Sequence, residues 1–250
     1  MTNTIIAANW KMHHGPKKAR EFLDRFLGLY APLEDRGVWL FPPAVSLEQT
    51  TQATAGKEGI EVGAQNVHWE AKGAFTGELS VPMAAEAGAL AALVGHSERR
   101  HVFGETEEET AKKVHAVIEG GLTPVLCVGE KLEEREAGNT LAVIERQLSA
   151  VGALGVEVLD KLVVAYEPVW AIGTGKTATP KDAAEVHASI RAWFAAQSAN
   201  ADGLRILYGG SVKPGNAHEL LAEEEINGLL VGGASLEAES WWDICRAGTD

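Results

Sequence analysis

The sequence predicts an α/β fold, an eight-stranded parallel (β/α)8 barrel built as a single domain over residues 1–250. Three observations carry that expectation. Short, nearly all-apolar runs recur eight times, segments of helical period separate them, and no Pro/Gly/Ser-rich linker or charge boundary divides the chain. Runs that are apolar throughout, rather than alternating, suit parallel strands covered by helices. Such alternation fits an open doubly wound sheet or a closed barrel, and eight units in ~250 residues match the usual size of the barrel.

In chain order the strand runs are Ile5–Asn9, Val38–Phe41, Ile60–Ala64, Ala89–Gly95, Val125–Val128 (with Pro124 just before it), Leu162–Glu167, Leu204–Gly209 and Gly228–Gly232. Between them, Ala137, Leu141, Ile144, Leu148 and Val151 step by four and three, as one face of a helix does. Ala183, Val186, Ile190, Trp193 and Phe194 show a similar stripe. Thr179 offers this second helix an N-cap, Pro180 a first residue, and Asp182 stands three residues past the cap. One segment breaks the rhythm: Gln65 to Leu79 has no clear period and holds Trp69 and Phe75. Long loops inside compact domains are usually functional, and two large aromatics on this one point to an interface.

Composition narrows the function classes. The chain is 46% hydrophobic and 23% charged, which excludes a disordered protein, a collagen-like repeat and a disulfide scaffold. Cys127 and Cys245 supply neither zinc spacing nor a disulfide framework. A formal net charge of −13 speaks against nucleic acid or an anionic membrane as partner. Met1 to Met12 lacks the pattern of a secretory leader, and no run approaches the ~18 apolar residues of a membrane span. A cytoplasmic location is expected.

In a barrel of this kind the carboxyl ends of the strands face the reaction. They present Asn9, Trp10 and Lys11 after the first strand, Gln65 and Asn66 after the third, His96, Ser97 and Glu98 after the fourth, and Glu167 at the sixth. Gly209, Gly210 and Ser211 follow the seventh and Gly232 and Gly233 the eighth, the two loops where these barrels commonly bind phosphate. Amides approach an oxyanion most closely where no Cβ intervenes, so both glycine pairs read as an anion cradle. Tight turns needing positive φ are the plainer alternative. Glu167 alone puts a carboxylate directly at a strand end, which makes it the general-base candidate against a solvated cap. His96 opens a predicted helix, where the N-terminal field disfavours imidazolium and suits a neutral donor. Lys11 is either an exposed charge or the cation that stabilises a developing oxyanion. The other histidines show no metal spacing.

The segment from Pro168 to Thr179, PVWAIGTGKTAT, invites two false matches. Trp170 stands where a Walker loop needs its first glycine, and the preceding strand ends too early for a dinucleotide fingerprint. An apolar body with two glycines reads better as a lid that excludes water.

These residues sit in runs that resemble the triosephosphate isomerase family from end to end: AANWKM (Ala7–Met12), GAFTGE (Gly73–Glu78), VGHSERR (Val94–Arg100), CVGE (Cys127–Glu130), AYEPVWAIGTGK (Ala165–Lys176), LYGGSV (Leu207–Val212) and LVGGASL (Leu230–Leu236). The resemblance implies the TIM barrel and the interconversion of dihydroxyacetone phosphate and D-glyceraldehyde 3-phosphate through an enediolate, without metal or cofactor. By resemblance, Glu167 is the base, His96 the neutral electrophile, and Lys11 and Asn9 the oxyanion stabilisers. Gly173, Ser211, Gly232 and Gly233, with Asn9 and Lys11, hold the phosphorylated substrate. Glu98 supports Lys11 and His96. Pro168, Val169, Trp170, Ala171, Ile172, Gly173, Thr174, Gly175 and Lys176 form the lid, and the loop around Thr76 implies a homodimer. His13, Asn227 and Trp241 depart from the family's usual asparagine, aspartate and phenylalanine.

Three other classes fit the same residues less well. A glycosidase needs a second carboxylate facing Glu167, and Glu98 is a poor match. An aldolase would use Lys11 as a Schiff base. A non-catalytic barrel would have no reason to keep Asn9, Lys11, His96 and Glu167 together.

Overall fold

The computed structural model describes residues 4–171 and 178–249. Eight strands pair in sequence order, and β8 returns to β1 in parallel, so the sheet closes into a barrel. β1 (Thr4–Asn9) leads to α1 (Pro16–Leu29), β2 (Arg36–Phe41) to α2 (Ala44–Thr54), and β3 (Ile60–Ala64) to α3 (Val81–Glu86). β4 (Ala91–Val94) is followed by α4 (Ser97–His101) and α5 (Glu107–Glu119). β5 (Thr123–Val128) is followed by α6 (Leu132–Glu136), α7 (Thr140–Gly152) and α8 (Val156–Leu159). β6 (Val163–Tyr166) precedes α9 (Pro180–Ala196), β7 (Arg205–Tyr208) precedes α10 (Pro214–Leu221), and β8 (Gly228–Val231) precedes α11 (Ala238–Cys245). The simple alternation of strand and helix therefore holds, with extra helices in the fourth and fifth units. β4 is shorter than its apolar run, because Gly95 turns the chain at φ 68° directly before His96.

Both faces of each strand are covered, which explains the unbroken apolar runs. Ile5, Ala7, Trp39, Phe41, Leu93, Val125 and Leu207 fill the barrel, while Ile6, Ala8, Leu40, Val94 and Leu126 pack under the helices. Gly63 makes the interior packing fit: a Cβ there would lie 2.3 Å from Cε1 of Phe41. Among the described residues no helix is long and apolar enough to cross a membrane.

The expected stripe on the first helix is displaced. α7 begins only at Thr140, so Ala137 lies before it, and Leu141 is 54% exposed. The buried face is Val143, Ile144, Gln147, Leu148 and Val151, a wider stripe interrupted by one polar residue. On α9, Ala183, Val186, Ile190 and Phe194 are buried as expected and Trp193 is half-buried. Thr179 and Asp182 form a full capping box: Asp182 N–H donates to Thr179 Oγ1 at 3.1 Å, and Thr179 N–H donates to Asp182 Oδ2 at 3.2 Å. Asn227 serves without a charge because its Oδ1 accepts from both Arg191 Nη2 (2.8 Å) and the Ile206 amide (3.1 Å), while Glu225 supplies Arg191 with a carboxylate.

α9 also carries a buried histidine. His187 has no exposed surface, its Nδ1 lies 3.1 Å from the Glu225 carbonyl, and burial lowers its pKa from 6.5 to about 4. The folded state therefore resists a proton that the unfolded chain accepts, and this stabilisation is lost as pH falls from about 6.5 towards 4. The linkage amounts to roughly 3 kcal/mol. Urea unfolding at pH 7 and pH 4.5 is expected to show that drop shrinking in His187→Gln; equal pH dependence in both proteins would refute it.

The long loop is present but folded partly on itself. Between Gln65 and Leu79 there is no regular element, and a bridge joins His68 to Ser80. Trp69 and Phe75 both pack on the His68 ring at 4.2 Å, so the aromatics expected to reach outward are tied within the chain, with Phe75 left 43% exposed.

Candidate active site

Lys11 leaves β1 in the left-handed region, φ 49°, a conformation that costs a non-glycine residue about 1–3 kcal/mol and persists only where neighbours enforce it. Those neighbours are identifiable. Its amide donates to Asn9 Oδ1 at 3.0 Å, and its carbonyl accepts from Gln65 Nε2 at 2.9 Å. Gln65 also donates to the Phe41 carbonyl, so the first three strand ends are laced together. The Lys11 ammonium reaches Glu98 Oε1 at 2.7 Å. Glu98 is therefore a partner of the cation and not a second catalytic carboxylate opposite Glu167.

His96 caps α4 with its ring, Nδ1 accepting the Glu98 amide at 3.2 Å. An acceptor nitrogen carries no proton, so the imidazole in this geometry is neutral and presents N–H at Nε2. That nitrogen faces Glu167 Oε1 at 2.9 Å. Burial lowers the proton affinity of His96, but the Glu167 carboxylate beside it prevails and raises it overall. Glu167 is itself buried, which alone would raise its pKa. The His96 ring, the Ser97 amide and Lys11 more than offset burial and hold the carboxyl below the ordinary range. The carboxylate is thus held ionised, and its Oε2 accepts from the Ser97 amide at 2.8 Å.

These side chains line one wall of a 270 Å³ cleft. The other wall is Gly209 to Lys213 and Gly232 to Ala234. None of Gly209, Gly210, Gly232 or Gly233 has a positive φ, so turn geometry does not explain them. Space explains the first pair: a Cβ on Gly209 would lie 2.8 Å from Glu167 Cγ, and one on Gly210 would lie 2.2 Å from the Tyr208 hydroxyl, whereas one on Gly232 would come no closer than 3.4 Å to Lys11 and one on Gly233 would meet nothing within 4 Å. Among the described residues, the amides of Gly210, Gly232 and Gly233 donate to no backbone acceptor. Unpaired amides around a cleft suit an anion. Of the lid, Pro168, Val169, Trp170 and Ala171 are described, the last three as a single 3₁₀ turn. Ile172, Gly173, Thr174, Gly175 and Lys176 lie outside the described residues.

The support behind Glu167 escapes a reading of strand ends. A Cβ on Gly129 would lie 1.7 Å from the Glu167 carbonyl oxygen. The Gly129 peptide is gripped from both sides by Gln147, whose Oε1 accepts its amide at 2.8 Å and whose Nε2 donates to its carbonyl at 3.1 Å. The Glu167 amide donates to the Val128 carbonyl and the Val169 amide to the Glu130 carbonyl. The one visible signal was Gln147, a polar residue inside the apolar stripe of α7.

The sequence profile of triosephosphate isomerase matches residues 4–248. The chain is 52% identical over 242 residues to the triosephosphate isomerase of Aquifex aeolicus (strain VF5), covering 96% of this chain and 97% of that one. It is 49% identical over 250 residues to that of Pseudomonas putida (strain W619), covering 99% of each. It is 46% identical over 249 residues to that of Herpetosiphon aurantiacus, covering 98% and 99%. A closed eightfold barrel, a cleft at the carboxyl ends of its strands and a family match over residues 4–248 agree: the chain belongs to the triosephosphate isomerase family and is an isomerase.

Proposed function

We propose that the enzyme interconverts dihydroxyacetone phosphate and D-glyceraldehyde 3-phosphate by proton transfer through an enediolate. The observation that carries this reading is the pairing of ionised Glu167 with the Nε2–H of neutral His96, across a cleft from unpaired amides. Glu167 turns from the Ser97 amide to remove a proton from C1 of the ketose. His96 and Lys11 stabilise the oxygen that gains charge, with Asn9 holding Lys11 in place. His96 shuttles a proton between the two oxygens, and Glu167 returns its own to C2. The phosphate is held by Ser211, Gly232 and Gly233, joined by Gly173 from outside the described residues. Pro168 to Lys176 closes over the enediolate. The reaction needs no cofactor, and we place this single barrel domain in the cytoplasm.

A coupled assay with glyceraldehyde 3-phosphate tests the reading, with deuterium at C1 of the dihydroxyacetone phosphate formed in heavy water as the signature of an enediolate. Borohydride trapping of a Lys11 adduct, without isomerisation, would replace it with a Schiff-base mechanism.

We further propose a homodimer through the loop around Thr76. Beside the cleft lies a 210 Å³ pocket lined by Met12 and Phe103, which are 95% and 67% exposed, and by Asn9, Lys11 and His96. A loop from a second subunit seated there would rest against the catalytic residues. Sedimentation is expected to show a dimer, with Thr76→Arg shifting it to monomer and lowering kcat in parallel; a monomeric, fully active parent would refute the arrangement.

A further inference from the structure

The turn that follows Glu167 and the cap that opens α9 both meet one guanidinium from a distant part of the chain. Arg135, on α6, lies over the Trp170 ring at 4.5 Å. From there it reaches Glu130 Oε1 at 3.6 Å and Asp182 Oδ1 at 3.7 Å. Trp170 belongs to the 3₁₀ turn after the base and donates its indole N–H to Glu130 Oε1 at 2.9 Å. Asp182 is the capping-box carboxylate of α9; Thr179 occupies its Oδ2, leaving Oδ1 to the guanidinium. Tyr166, the last residue of β6, also donates to Glu130 Oε1, while Oε2 is buried with no hydrogen-bond partner among the described residues.

We propose that Arg135 is a positioning residue for the isomerisation, tying the chain that leaves Glu167 to the chain that enters α9. A planar cation suits the task because it stacks on an indole while its edge faces carboxylates; a lysine cannot do both. The proposal rests on Glu167 as the base, which a displacement of its following turn would carry out of line. Misplacement of a catalytic group by 1 Å costs on the order of 10²-fold, so a partial loosening is expected to cost about tenfold.

The experiment compares the parent, Arg135→Gln, Arg135→Lys, Trp170→Leu and the Arg135→Gln/Trp170→Leu pair. Each is measured for kcat, KM and thermal midpoint with glyceraldehyde 3-phosphate. Arg135 is about one-third exposed, so its variants are expected to fold, with midpoints within about 2 °C of the parent. Arg135→Gln is expected to lose about tenfold in kcat with little change in KM, and Arg135→Lys to recover less than half of that loss. The double variant is expected to be no worse than the poorer single, because both act through one contact. Parent-like kcat in Arg135→Gln, a loss that simply follows the thermal midpoint, or full additivity would each overturn the role of Arg135. An inactive parent would overturn the isomerase reading, and the proposal with it.

Discussion

Replacing Glu167 with alanine is expected to lower kcat by about a thousandfold or more, the upper part of the range for removing a general base. The geometry gives the reason. Glu167 is the carboxylate on the cleft wall, held ionised by His96 and the Ser97 amide. Glu98, the nearest other carboxylate to His96, is committed to Lys11 at 2.7 Å and cannot take its place. Glutamine is a harsher test than its shape suggests. If its oxygen keeps the Ser97 amide, its NH2 faces the Nε2–H of His96, donor against donor. The ring cannot switch tautomer without losing the Glu98 amide at Nδ1. Glu167→Gln is therefore expected to lose stability as well as activity, by about 1–3 kcal/mol for an unsatisfied buried donor. Initial rates from pH 6 to 9 with urea unfolding measure both. Activity in Glu167→Ala within tenfold of the parent would remove Glu167 from its role.

Gly129→Ala is expected to be the most damaging single methyl group in the molecule. Its Cβ would fall 1.7 Å from the Glu167 carbonyl oxygen, a backbone atom that cannot rotate away. One of the two chains must shift, and both are held: Gly129 by Gln147, and Glu167 by the Val128 carbonyl. Overpacking against fixed backbone belongs among the severe mechanisms, and a loss of about 4 kcal/mol is expected. A base moved by about 1 Å adds roughly a hundredfold loss in kcat. Gly28→Ala in α1 is the control: it has open space and no positive φ, and is expected to add up to about 1 kcal/mol. Equal stability of the two variants in urea would show that the Gly129 contact relaxes freely.

Much of the fold was legible because a parallel barrel writes itself into a chain as all-apolar strands between helices. The cleft was legible because strand ends and glycine pairs have a known place in that barrel. Three features were not. The face of α7 was misplaced because Gln147 reads as a defect in an apolar stripe, although it is buried to hold the peptide at the end of β5. The glycines were open to two explanations, and only the backbone angles, positive at none of Gly209, Gly210, Gly232 and Gly233, set the turn reading aside. The resting position of Glu167 depends on an amide and a ring seventy residues away in the chain, beyond any local pattern.

The Gln147 grip on Gly129 bears on how such a barrel can be taken apart. A designer might treat each strand and helix as an interchangeable module and graft the sixth unit, with its carboxylate, onto a foreign scaffold. Here the carboxylate would arrive without its footing, because the Val128 carbonyl, the Gly129 peptide and the α7 glutamine all come from the fifth. The backbone footing of Glu167 is therefore shared by two neighbouring units, and a recombination breakpoint between the fifth and the sixth would remove it.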